Sequence, residues 1–130
     1  MRTEARLTQF CRDWLAAWTG NDPARLIDFY DDDAFYSDPG MRQGIRGRAA
    51  MLDYFTKLLA ANPDWRWELV EIFPTEEGCT LKWHATIPVG EASVEEDGVD
   101  IVEIRGGKIT RNEVYFDRSG MLAALRKSRE

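Results

Sequence analysis

The chain changes its hydrophobic period once, near Trp65, and that change restricts the fold more than any other feature. Before it, apolar residues recur at helical spacing. Leu7, Phe10, Cys11, Trp14, Leu15 and Trp18 share one face of a helix predicted over residues 3–19. Gly20, Asn21, Asp22 and Pro23 stop that helix and start a second over 24–30, with Asp22 as cap and Pro23 at the first helical position. A brief extended piece over 34–37 ends in the turn Asp38-Pro39-Gly40. Residues 44–47 lead into a third helix over 48–61, where Met51, Leu52, Phe55, Leu58 and Leu59 repeat the helical period. From Trp65 onward the period is two. Trp65, Trp67 and Leu69 alternate with charged residues, as do Cys79, Leu81, Trp83, Ala85 and Ile87 with polar ones. A loop around 88–90 precedes a strand over 99–105, and Gly106-Gly107 turns it into a last strand over 108–116. Asp117 then caps a closing helix through Leu125. Helices followed by hairpin strands predict an α+β fold, with helices packed on one face of an antiparallel sheet.

Composition sets the bounds. With 130 residues, 44% apolar and 31% charged, the chain suits one globular domain spanning residues 1–130. Its longest apolar runs are too short for a membrane span, and the first ten residues lack a secretory core, so a cytoplasmic location is the expectation. A net charge of −6, with the one basic cluster at Arg126, Lys127 and Arg129, argues against nucleic acid as a partner. Two cysteines without ligand spacing and one histidine do not compose a metal site, so neither a metal nor another cofactor is expected. Cys11 and Cys79 read as small buried hydrophobes. Five Trp, four Tyr and six Phe then need a core or a pocket to line.

The order of "YDDDAFYSDPG", "GIRGRAAMLDYF", the strands and "GGKITRNEVYFD" resembles the NTF2-like (cystatin-like) superfamily, in its SnoaL-like and ketosteroid-isomerase-like branch, over residues 6–125. The resemblance implies a cone: N-terminal helices against a strongly bent, mixed, mainly antiparallel sheet, with an apolar cavity at the wide end and commonly a homodimer. Members include isomerases, polyketide cyclases, dehydratases, epoxide hydrolases and non-catalytic binding modules, so the fold leaves activity open.

The same resemblance nominates site residues. Asp38 matches the Asp of the isomerases' Asp-Pro motif, a base that shuttles a proton beside a carbonyl; read locally, it opens an Asp-Pro-Gly turn. Asp100 falls where isomerases hold a protonated Asp in the oxyanion hole, or else it is a solvated residue before a strand that starts late. The oxyanion-hole Tyr falls on Trp14 and a supporting Tyr on Phe55, while Tyr30 matches the remaining tyrosine. The Asp of epoxide hydrolases falls on Val114. His84 shares a strand face with Lys82 and Thr86 that can look into the cavity on the family fold, although a lone strand His is more often structural. Asn112, Val114 and Phe116 alternate on the last strand and line the pocket if Asp100 does. Trp18, Trp65, Trp67 and Trp83 read as core or interface residues, and Arg42, Arg46 and Arg48 as partners of the acids over 28–33 or holders of an anionic substrate group.

Two functions follow. One is a cofactor-free isomerase, cyclase or dehydratase using Asp38 for proton transfer on an apolar, carbonyl-bearing small molecule. The other is a non-catalytic ligand-binding or dimerisation domain. A homodimer through the sheet face would bury Trp67, Leu81 and Trp83 between chains.

Overall fold

The computed structural model describes residues 3–129; Met1, Arg2 and Glu130 lie outside it. Helix α1, Glu4–Ala16, starts where the Thr3 hydroxyl accepts a hydrogen bond from the Arg6 amide, and it buries Leu7, Cys11, Trp14 and Leu15. Gly20 turns the chain at φ +94°, a conformation glycine adopts without a Cβ penalty. Helix α2, Pro23–Ile27, is capped by Asp22 with Pro23 in its first turn. It ends three residues earlier than the periodicity predicts. Phe29 gives its carbonyl to the Ile109 amide and Tyr30 opens strand β1, so the sheet claims these residues from the helix.

Six strands form one sheet: β1 Tyr30–Asp38, β2 Met41–Arg46, β3 Arg66–Pro74, β4 Gly78–Val89, β5 Ala92–Arg105 and β6 Lys108–Tyr115. The order is β2-β1-β6-β5-β4-β3, antiparallel except where β1 runs parallel to β6. Helix α3, Arg48–Ala61, lies between β2 and β3 and packs on β1, β2 and α2; α1 packs on β3. Helix α4, Ser119–Ser128, rests on β4 and β5, and the Asp117 carboxylate accepts from the Ser119 amide at its start. The sheet is therefore mixed and mainly antiparallel with its helices on the apolar face. None of the described helices is long and apolar enough to cross a membrane.

Three strands exceed expectation, β1 by starting at Tyr30 rather than Ala34. Strand β2 is an edge strand rich in Arg and Gly, a composition that hides a strand, and it pairs with β1 through Tyr36↔Ile45 and Asp38↔Met41. Strand β5 begins at Ala92, because Glu95 and Asp97 alternate onto the solvent face while β4 pairs with it continuously from Val89↔Ala92 to Gly78↔Glu103.

Alternation along β4 sends Cys79, Leu81, Trp83, Ala85 and Ile87 into the core. Two expectations fall with that register. His84 lies on the outer face, its ring nitrogens 2.8 Å from Asp97 Oδ1 and 2.7 Å from Glu95 Oε1, and does not look into the interior. The face carrying Leu81 and Trp83, expected between two chains, is already buried inside one chain, with Trp67 stacked edge-on to Trp83 at 4.5 Å. On α3, Leu52 is exposed rather than buried.

Candidate functional site

Tryptophans and tyrosines from both halves of the chain leave a hollow of about 160 Å³ between the sheet and helices α1, α3 and α4. Leu15 and Trp18 of α1 and its exit, Tyr54 and Leu58 of α3, Trp65, Trp67, Trp83, Phe116 and Met121 supply much of its wall. Tyr36, Pro39, Gly40 and Val114 complete the uncharged part. Asp38 at the end of β1, Asp100 in β5 and Arg118 before α4 are its charged members. Cavities of ~150 Å³ by this measure hold a benzene-sized guest, so the hollow suits a molecule built around one ring.

Asp38 sits where β1 turns at Pro39-Gly40. Its Oδ2 accepts from the Tyr36 hydroxyl at 2.7 Å and the Tyr54 hydroxyl at 2.8 Å, and its Oδ1 from the Gly40 amide at 2.8 Å. Burial, then the Asp38 charge, holds both phenols well above their usual range, so both remain donors. The turn hydrogen bond expected of Asp38 and its place on the cavity coexist in one geometry. The Arg118 guanidinium lies close over Gly40, 3.1 Å from where a Cβ would stand.

Asp100 is buried, so the alternative of a solvated edge residue is excluded by position. Trp83 Nε1 donates to its Oδ1 at 2.7 Å and Asn112 Nδ2 to its Oδ2 at 2.8 Å. Burial pushes its pKa up to about 7, against the pull of those two bonds, and the nearby Asp38 charge adds to the rise. Behind it a chain runs inward: Trp14 Nε1 donates to Tyr30 Oη at 3.1 Å, and Tyr30 donates to Asn112 Oδ1 at 2.7 Å. An indole N–H only donates, so the direction of the whole chain is fixed toward Asp100.

Of the residues nominated from sequence, Asp38, Asp100, Val114 and Phe116 meet at the cavity. Trp14, Tyr30 and Asn112 stand behind Asp100 as its supporting network, and Phe55 is buried beneath, its ring 5.0 Å from Tyr36 and 5.2 Å from Trp18. His84 is absent from the cavity and points away from it. Arg48 pairs with Asp28 and Asp32 on the surface, and the cavity's own cation is Arg118. Trp18, Trp65 and Trp83 are buried in the core and Trp67 packs against it, as the core reading has them, and all four also line the cavity. Tyr36 and Tyr54 were overlooked. Both carried a signal: Tyr36 stands two residues from Asp38 and shares its strand face, and Tyr54 lies at i+3 from Met51 and i−4 from Leu58 on one helix face.

A mainly antiparallel sheet with helices over a hollow apolar face defines an α+β cone. The chain belongs to the SnoaL-like domain family, whose model matches residues 11–112. Solved structures of similar fold include a ketosteroid-isomerase-like protein from Catenulispora acidiphila in complex with trimethylamine. It is 20% identical, covers 91% of this chain and 92% of its own, and has a TM-score of 0.79. A putative SnoaL-like polyketide cyclase from Shewanella putrefaciens is 15% identical, with coverage of 94% and 86% and a TM-score of 0.79. An epoxide hydrolase from M. tuberculosis is 18% identical, with coverage of 95% and 92% and a TM-score of 0.75. At these identities the likeness is one of fold. No curated protein matches the chain in sequence.

Proposed function

We propose that this cavity binds a small apolar molecule bearing a carbonyl group and moves a proton on it without a cofactor. Asp38 takes a proton from the carbon beside the carbonyl, and the electron pair shifts onto the oxygen. Asp100, holding its own proton, donates a hydrogen bond to that oxygen. Returning the proton to another carbon completes an isomerisation; loss of a leaving group makes it a dehydration, and attack by the carbon a cyclisation. The observation that carries the reading is a carboxyl with a pKa near 7 in the same apolar hollow as a second carboxyl. Two acids in unlike environments divide the roles of proton donor and acceptor. Apolar walls strengthen each polar contact by excluding water. The homodimer expected from sequence goes with this proposal, now through the outer sheet face where Val70, Phe73 and Tyr115 are exposed.

Acetophenone is a one-ring probe for the reaction. Exchange of its methyl protons in D2O, followed by NMR, is expected to run faster with protein than with buffer. Losing a general base or acid costs typically ~10²–10⁴-fold, so Asp38→Asn and Asp100→Asn should each slow the exchange by at least about 100-fold. Exchange that survives Asp38→Asn unchanged ends this reading.

One observation favours binding without chemistry. Tyr36, Tyr54 and the Gly40 amide occupy three of the roughly four acceptor sites of the Asp38 carboxylate. On that reading acetophenone quenches the tryptophan emission of the cage, yet its methyl protons exchange no faster than in buffer.

A further inference from the structure

We propose that Trp67 of β3 is a ligand-positioning residue, its indole N–H forming with the Asp100 carboxyl a subsite for one oxygen atom of the ligand. The proposal rests on the carbonyl-binding reading above and adds to it a donor from a different strand.

Among the described residues, Trp67 Nε1 is the buried side-chain polar atom with no hydrogen-bond partner. A buried donor left unpaired forfeits its hydration, a cost of about 1–3 kcal/mol, and each such group in a native structure asks for a reason. Neighbouring indoles do not share the defect. Trp14 gives its N–H to Tyr30, Trp65 to the Trp18 carbonyl, and Trp83 to Asp100. Trp67 has rings about it instead, Trp65 at 5.1 Å and Trp83 at 4.5 Å, both edge-to-face. Neither ring offers the N–H an oxygen or nitrogen acceptor, so a ligand oxygen brought against it would supply the missing bond.

Position and chemistry agree. Trp67 and Asp100 line the same cavity, and Trp83, in contact with Trp67, is the residue bonded to Asp100. Asp100 has both oxygens engaged as acceptors, so when protonated its O–H is the group it can offer the ligand. Trp14, which takes the sequence position of the isomerases' oxyanion tyrosine, has spent its N–H inside the protein. The subsite therefore selects molecules with an exposed C=O and gives nothing to a hydrocarbon of the same outline.

The test compares acetophenone with α-methylstyrene, in which a C=CH2 group replaces the C=O. With 15N-labelled tryptophan, and the Trp67 indole resonance assigned by its absence from Trp67→Phe, acetophenone is expected to shift that resonance downfield and α-methylstyrene to leave it in place. In fluorescence titrations, Trp67→Phe should reduce the affinity ratio of acetophenone to α-methylstyrene by about 5–10-fold, the worth of one hydrogen bond. The ratio cancels any general loosening of the cage, and the resonance shift is read on the wild-type chain. An unmoved Trp67 resonance, or an unchanged ratio in Trp67→Phe, overturns the subsite. Failure of acetophenone to bind overturns the subsite and the carbonyl reading together. Because neither readout involves proton transfer, a shifted Trp67 without methyl-proton exchange upholds the subsite and removes the catalytic reading. Exchange with an unmoved Trp67 does the reverse.

Discussion

Replacing Asp100 by asparagine should change how the stability of this protein depends on pH. Burial lifts the carboxyl from 3.8 to about 7, so the folded chain keeps a proton that the unfolded chain releases at lower pH. The contribution is fully present below the unfolded pKa of about 4, declines as pH rises, and is lost once pH passes through about 7. Three pKa units at about 1.4 kcal/mol each give a total on the order of 4 kcal/mol, of which about 2–3 kcal/mol falls between pH 5 and 8. The amide of Asp100→Asn does not titrate there. It does set an NH2 group against the Asn112 NH2 group that now donates to Asp100 Oδ2, leaving one buried bond unmade for about 1–3 kcal/mol. Roughly 1.7 kcal/mol of the contribution is already lost at pH 5, so the two proteins lie within about 1 kcal/mol of each other there. From pH 5 to 8 the balance shifts by about 2–3 kcal/mol toward the variant, which is the more stable protein at pH 8. Urea unfolding followed by tryptophan emission, at half-unit pH steps, measures both proteins. Acids common to the two cancel in the difference. A gap that stays constant across this range refutes a buried Asp100 that holds its proton near neutrality.

Four further outcomes follow from particular contacts. Tyr30→Phe strands the Trp14 N–H and the Asn112 carbonyl oxygen together, and urea unfolding should report a loss of about 2–3 kcal/mol. Gly98→Ala places a Cβ 2.5 Å from the Trp83 ring and 2.8 Å from Phe116 Cβ, so overpacking should cost about 1–3 kcal/mol and alter the near-UV circular dichroism of the cage. Cys11 and Cys79, buried with sulfurs 3.7 Å apart, should resist a thiol reagent in the native protein and react together in urea; His84→Ala, on the outer face, should leave acetophenone affinity unchanged.

How much of this was legible follows from where each residue's constraint lies. Helix α3 was readable to the residue, because Met51, Phe55 and Leu59 repeat at helical spacing between Gly47 and Asn62. The β4 core face was equally plain, since strict alternation leaves no other register. Strand β2 and the first half of β5 were not, because exposed Arg, Gly and Glu carry no periodic apolar signal and their pairing is set by partners far along the chain. The two carboxyls came from family resemblance. What surrounds them did not. That Tyr54 rather than Phe55 reaches Asp38 depends on the rotation of α3 over the sheet, and that Trp67 is left unpaired depends on the packing of neighbouring rings. For His84 the alternation from Trp83 favours the outer face, where the structure has it, over the cavity face that the resemblance allows.

The parallel seam between β1 and β6 carries a consequence for when the cavity can exist. Tyr30 pairs with Ile109 and Tyr36 with Asn112, so residues nearly at opposite ends of the chain must meet before the sheet is continuous. As the chain leaves the ribosome, the β1–β2 hairpin and α3 emerge without the strand they lean on, and Asp38 waits for Asp100 and Phe116. Such distant pairing is slow, because the entropy of closing a long loop is lost before any contact rewards it. Until the seam forms, β1 and β6 each present a bare edge, and bare edges invite pairing with other chains. The hollow is thus among the last features to form, and any ligand stabilises the completed protein rather than helping to build it.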